Sequence, residues 1–231
     1  RKALAERRYA ETQASAKIAG LAEYQVLNHH DCEIENTLAA REEVIRIIRN
    51  FQPDVVLSHR NCDYHADHRA IAQLVMDAAY LVKVPLYCAD TPIPAKNPVL
   101  AYLYDRFRNP RPIRADAAVE IDSVLETKLR MMDCHASQFY EWLPWDKGFR
   151  DFDASGMSWE QKKAWLYEKW ACRFEAAADL ARHTLCEIYG DAGKTVKCAE
   201  IFEFSEYGEP VSEEEFRNLF LCRTGSGFRN R

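Results

Sequence analysis

A layered α/β fold with a largely parallel sheet is predicted by three features of the sequence. Helical and extended patterns alternate through the first half of the chain. The run Asp54-Val55-Val56-Leu57-Ser58 is short and continuously apolar, the habit of a strand buried on both faces of a parallel sheet. A dense polar segment follows it directly, at the edge where open parallel sheets bind ligands. The 231 residues are ample for a buried core.

Taken in order, residues 3–19 are rich in Ala, Glu, Arg and Lys and predict a helix ended near Gly20. Tyr24 to Leu27 is a strand candidate. Thr37 can cap a second helix, whose Ala40, Val44, Ile47 and Ile48 share an apolar face and which closes at Asn50 to Pro53. The strand ending at Ser58 comes next, then a helix from about Asp67 to Val82 with Ile71, Leu74, Val75, Ala78 and Ala79 as its buried stripe. A proline-rich connection, Pro85 to Pro98, leads to strand candidates at Val99 to Tyr104 and Ala117 to Ile121.

Ser123 to Gln138 predicts an amphipathic helix, and the aromatic stretch Phe139 to Phe152 a loop or lid. Ser158-Trp159-Glu160-Gln161 has the form of a capping box. It opens a long helix with Leu166, Trp170, Phe174, Ala178, Ala181 and Leu185 on one stripe. Ala199 to Phe204 is a last strand, and Val211 to Leu221 a short acidic helix. One domain over 1–222, with a helical elaboration in the C-terminal half and a flexible tail at 223–231, is the expected organisation.

Composition narrows the function. Hydrophobic residues make up 48% and aromatics 12% of the chain, too much for a disordered protein. No apolar run reaches membrane-spanning length. A net charge of −5 provides no positive field for nucleic acid. The eight cysteines stand singly, with no CxxC pair, and read better as buried free thiols of a cytoplasmic protein than as a disulfide framework.

The chemistry concentrates in His59-Arg60-Asn61-Cys62-Asp63-Tyr64-His65-Ala66-Asp67-His68. His65 and His68 are three residues apart at a helix start, so both imidazoles can point the same way. Imidazole suits zinc, and an open zinc position activates water near neutral pH. The bland alternative is a helix cap from Asp67, a loop histidine and a structural pair. Two histidines are also fewer than the three protein ligands usual for catalytic zinc.

Pro53 to Arg60 followed by Asp63-Tyr64-His65-Ala66-Asp67-His68-Arg69-Ala70 resembles the central motif of the LmbE-like (PIG-L) deacetylases. Val119-Glu120-Ile121-Asp122, leading through Lys128 to His135-Ala136-Ser137-Gln138, is similar to that family's helix ending in His-x-Ser-Gln. The resemblance implies a Rossmann-like three-layer fold and removal of the acetyl group from N-acetylglucosamine-type conjugates. It also implies zinc as cofactor, with another divalent metal left open. It assigns metal binding to His68, and to His65 the stabilisation of the tetrahedral intermediate or general-acid work. Arg60, Asp63, Tyr64, Asp31 and His135 are weaker candidates for substrate contact or support.

One departure matters. The family's first strand ends in His-Pro-Asp-Asp, which holds two metal ligands and the general base, and this sequence contains no such motif. The resemblance begins at the helix after it, inside the pattern that opens Arg1-Lys2-Ala3. Two accounts follow: an incomplete stretch of an active enzyme, or a catalytically inactive carbohydrate-binding or assembly protein on the same fold. His29, His30 and Asp31 could replace the lost ligands, with Asp31 the best of the three, although a solvated loop is the favoured reading. Arg106, Arg108, Arg111 and Arg114 could meet an anionic group, but pairing with nearby acids is favoured. Trp142, Trp145 and Phe149 could stack on a sugar or bury an insertion. The partner expected is a small N-acetylated sugar conjugate, with no nucleic acid and no membrane span; a homo-oligomer stays open.

Overall fold

The structure, a computed structural model, describes residues 2–221. The tail expected at 223–231 lies outside that range. The described chain divides into two compact units.

The first unit comprises His29–Val119, Leu180–Thr195 and Glu200–Arg231. Its helices α2 (Leu38–Phe51) and α3 (Ala66–Leu81) alternate with strands β1 (Val55–Ser58), β2 (Val99–Leu103) and β3 (Ala117–Glu120). Strand β4 (Ala199–Ser205) joins the sheet, whose order is β1-β2-β4-β3. β1 runs parallel to β2, with Val55 opposite Val99 and Ser58 opposite Tyr102. β4 runs antiparallel to β2, with Leu100 opposite Ser205 and Leu103 opposite Phe202.

Strand periodicity builds the layers. Leu100 of β2 packs with Val44, Ile45 and Ile48 of α2 and with Leu74, Val75 and Ala78 of α3. Its neighbours Val99 and Ala101 face the other way, into a cluster with Ala117, Phe202 and Phe216 of α9 (Glu213–Asn218). Each of the larger buried side chains contributes about 1.5–3 kcal/mol. Arg49 of α2 is fully buried among them. Its guanidinium donates to the carbonyls of Val82 (2.9 Å), Cys88 (2.8 Å) and Val84 (2.8 Å), and to that of Leu81 (3.2 Å). These carbonyls crowd at the end of α3 and the turns after it, where a cation is favoured, and those of Leu81, Val84 and Cys88 also accept turn N–H groups.

The second unit comprises Arg1–Asn28, Glu120–Asp179 and Val196–Ala199. It contains α1 (Lys2–Ala19), α4 (Leu125–Cys134), α5 (Leu143–Asp146), α6 (Trp159–Leu166) and α7 (Cys172–Leu180). Helix α8 (Arg182–Tyr189) lies in the first unit. Ile121, Leu129, Tyr140, Leu166, Trp170 and Phe174 form the core of the second unit. Ser158 caps α6 and Gln161 returns the bond, completing the capping box.

Several expectations are corrected. The sheet is mixed rather than mostly parallel, because β4 enters it antiparallel. A strand covered on both faces shows the same apolar run in either direction, so the pattern could not tell. Among the described residues β1 stands at the sheet's edge with Leu57 44% exposed, rather than buried on both faces. Tyr24 to Leu27 forms no strand; these side chains are exposed, and no strand of the described residues flanks them.

The helix predicted to run through Gln138 ends at Cys134, and Ser137–Trp142 continues as a π-helical turn. The aromatic stretch is therefore partly helical rather than loop. The long second-half helix is broken by a π-helical turn at Tyr167–Ala171 and again near Ala181, though its stripe stays buried throughout. Of the seven described cysteines all are free, but only Cys88 and Cys198 are buried. No helix of the described residues is long and apolar enough to cross a membrane.

Candidate metal centre

The loop between β1 and α3 folds on its own side chains. Asp63 Oδ1 accepts the His65 backbone N–H (2.8 Å), and the Arg69 guanidinium donates to the carbonyls of Asp63 (2.8 Å) and Tyr64 (2.9 Å). The cap of α3 is His65, not Asp67: its Nδ1 accepts the Asp67 N–H at 3.2 Å. Asp67 already lies inside the first turn, so its buried carboxylate reaches back to the N–H groups of Cys32 (2.7 Å) and Ile34 (3.3 Å). Because Nδ1 of His65 accepts, the proton of the neutral ring sits on Nε2.

Beside this cap, the ligand atoms of His59, Asp63 and His68 all lie within 4.8 Å of one another. The rings of His59 and His68 stack, with centroids 4.2 Å apart and planes 5° apart. Nδ1 of His68 is buried and stands 3.1 Å from Asp63 Oδ2, yet it makes no hydrogen bond. The two atoms are at ion-pair distance when His68 is protonated, and with the ring neutral the same closeness suits ligands to a shared cation. Two imidazoles and a carboxylate are also a zinc-type donor set. Burial pushes the His59 imidazole below its ordinary range, and His68 adds to this against the pull of Asp63 and Asp105.

His65 lies 4.8 Å from His68, centroid to centroid, and the exposed Tyr64 ring stands edge-on to both. The predicted residues His65, His68, Asp63 and Tyr64 thus come together. Asp31 joins them from its loop, where Asp31, Cys32 and His65 form a second group of three donors within 4.8 Å. His29 instead pairs with Glu43 at 2.6 Å.

Arg60 is placed elsewhere. Its buried guanidinium forks onto Asp105 (2.7 and 2.5 Å) and donates to the carbonyls of Phe107 (3.1 Å) and Arg111 (2.9 Å). It ties the segment after β2 to this loop, and the Phe107 ring meets Tyr64 at 6.2 Å. Arg111 and Arg114 are held by Glu203 and Asp116, as acid pairing predicts. Arg106 and Arg108 are exposed.

His135 belongs to the second unit, where it terminates α4 and donates its N–H to the Met132 carbonyl at 3.0 Å. Burial lowers its basicity. In that unit Trp142 and Trp145 stack at 5.4 Å, each about half exposed.

Sequence reasoning missed His59 and Cys32 as site residues. His59 stood at the end of a strand with no helical spacing to the other two. Cys32 lies more than thirty residues from the ring it meets.

Residues 1–79 match the family described as PIG-L: GlcNAc-PI de-N-acetylase. The diacetylchitobiose deacetylase of Thermococcus kodakarensis is 30% identical over 152 residues, 64% of this chain and 56% of that protein. Among solved structures, the N,N'-diacetylchitobiose deacetylase of Pyrococcus horikoshii superposes with a TM-score of 0.62 and 21% identity, over 88% of this chain and 65% of that one. GalB, the 4-carboxy-2-hydroxymuconate hydratase of Pseudomonas putida, gives 0.59 and 18%, over 90% and 75%. The structural likenesses establish the fold, which evidently supports more than one chemistry. The chain spans a little over half the length of the curated relative. Together these matches bear out the resemblance read from Pro53 to Ala70: residues 1–79 match the PIG-L family, and the chain is similar to a deacetylase of that kind.

Proposed function

We propose that the protein is a metal-dependent amidohydrolase that removes the N-acetyl group from an N-acetylglucosamine-type sugar conjugate. The observation behind this reading is the His59–Asp63–His68 cluster set beside a histidine whose Nε2 proton is fixed by its own helix cap. The likeness to a diacetylchitobiose deacetylase supports the substrate class. The orphaned His68 nitrogen and the mixed imidazole and carboxylate donors fit a divalent ion such as zinc. When bound there, the ion would polarise the acetamide carbonyl and lower the pKa of a water molecule.

The chain's own residues supply further parts of the chemistry. His65 donates from Nε2 to the carbonyl oxygen as negative charge builds on it, an interaction worth about 2.7–4 kcal/mol in comparable sites. Asp67 keeps that proton on Nε2 by donating its N–H to Nδ1. The exposed Tyr64 ring offers a face to a sugar ring. Arg60 acts as an anchor that positions Phe107 against Tyr64, rather than as a substrate contact. Overall, water adds to the acetyl carbon, the C–N bond breaks, and acetate and the free amine leave. The seven cysteines of the described residues, all free, support a reducing, cytoplasmic setting.

The test is acetate release from N,N'-diacetylchitobiose and related N-acetylated sugars by zinc-loaded protein. His65→Ala should lower kcat by about 10²–10³ while bound metal is retained. Metal binding without turnover of any N-acetylated sugar would favour the inactive carbohydrate-binding reading.

A further inference from the structure

Cys32, Asp31 and His65 form a second three-donor group that the proposed reaction does not use as a unit. Cys32 Sγ lies 3.8 Å from His65 Nε2, and the ligand atoms of all three residues fall within 4.8 Å of one another. Asp31 and Cys32 are exposed, so an ion from solvent can reach them. The group is held from beneath by one buried carboxylate. Asp67 accepts the Cys32 N–H at 2.7 Å, while the Asp67 N–H is the bond that orients the His65 ring. Cys32 is thereby kept in a left-handed backbone conformation, φ +69°, that a cysteine rarely adopts.

We infer that Asp31, Cys32 and His65 form a second cation site, selective for a thiophilic divalent ion such as zinc or cadmium, whose occupancy switches off His65. A thiolate, an imidazole and a carboxylate suit a borderline-soft ion, whereas the His59–Asp63–His68 cluster offers no sulfur. The negative charges of Asp31 and Asp67 favour a cation at this place.

The proton accounting makes the site inhibitory. On binding, the Cys32 thiol releases its proton to solvent and Sγ takes the ion. His65 can ligate through Nε2 only by moving its ring proton to Nδ1, which ends the bond from Asp67 N–H. The ring then has no Nε2 proton to donate to a substrate oxyanion. The inhibitory consequence rests on the proposed deacetylase reading; the binding itself does not.

Cadmium titration of the full chain separates the two. The thiolate-to-cadmium charge-transfer absorbance should rise and saturate with a component of one equivalent that is absent in Cys32→Ser. In Asp31→Asn that component should need about tenfold more cadmium. Circular dichroism of both variants should match the wild type, which checks that they are folded. If Cys32→Ser gives the same band as the wild type, or neither gives one, the site does not exist. In a deacetylation assay, zinc beyond the first equivalent should inhibit wild type and not Cys32→Ser. Inhibition of both alike would overturn the switch. A band without any deacetylation would leave the ion site standing and sink the enzymatic reading instead.

Discussion

Two segments of the chain resemble one family's motifs, and they spend their backbone-binding side chains differently. In Asp63-Tyr64-His65-Ala66-Asp67-His68, the backbone is satisfied by the motif's own side chains: Asp63 holds the His65 N–H and His65 holds the Asp67 N–H. That self-sufficiency leaves His68 Nδ1 and the second Asp63 oxygen 3.1 Å apart with no hydrogen bond at the nitrogen. In His135-Ala136-Ser137-Gln138, Ser137 is spent on a partner helix, while the buried Gln138 Oε1 makes no hydrogen bond. Glu11 of α1 accepts both the Ser137 N–H (2.9 Å) and its hydroxyl (2.6 Å), and Arg7 closes on the same carboxylate at 3.2 Å. The first arrangement stores ligand capacity; the second fastens one helix to another. A motif's likeness therefore does not settle its job; what sets the first apart is several ligand atoms brought within 4.8 Å of one another.

The largest effect that would break this contrast is at Asp63. Asp63→Asn keeps an oxygen for the His65 N–H and so preserves the loop, but it removes the charged ligand from the cluster. Zinc affinity measured by equilibrium dialysis should fall by at least about 100-fold, with thermal stability of the metal-free protein nearly unchanged. Retention of stoichiometric zinc in this variant would mean that the cluster is a structural histidine stack.

The second motif should respond the other way. Glu11 is buried and serves three donors, so Glu11→Ala leaves the Ser137 N–H and hydroxyl unpaired and should cost about 3 kcal/mol. Glu11→Gln keeps the shape and should cost less. Both should bind zinc as the wild type does where folded. Loss of zinc at full thermal stability would show that the His135 segment supports the site after all. Arg49, with its four buried carbonyl partners, is a control of similar size: Arg49→Met should destabilise by about 3 kcal/mol or more without touching the cluster.

Legibility in the sequence followed the range of the interactions. Helices α1, α2 and α3 were readable, and so was the Thr37 cap of α2, because helical composition, the Thr37 to Ala40 contact and the apolar stripes of α2 and α3 are local; the cap of α3 was read as Asp67 and is His65. His65 and His68 were readable for the same reason, since three residues on a helix start fix their proximity. Strand direction was not, because β4 depends on where a distant chain segment returns. Nor was the break at His135: helix α4 and the segment from Ser137 share one apolar pattern, and the turn between them is fixed by Glu11, 126 residues away. His59 and Cys32 were missed for that reason too, as their partners are set by the fold and not by spacing.

The smallest effect is a pH dependence confined to the second region. Lys128 of α4 is half-buried, and burial with the nearby Arg173 lowers its pKa to about 8, although the Phe174 ring 4.3 Å beneath it favours the charged form. In the unfolded chain the same amine titrates near 10.4. Between about pH 8 and 10.4 the unfolded state therefore holds more protons than the folded one, so this group makes stability rise with pH across that window. Below pH 8 the folded protein bears the full penalty of a charged amine in an apolar setting. Lys128→Met removes the penalty and should stabilise the protein by about 1 kcal/mol at pH 7, a gain that disappears by about pH 10.5. Melting temperatures of the two proteins at pH 7 and 10.5 test this, since every other titrating group is common to both. Equal gaps at the two pH values would show that the Phe174 contact already offsets the burial, and that the amine is charged at no cost.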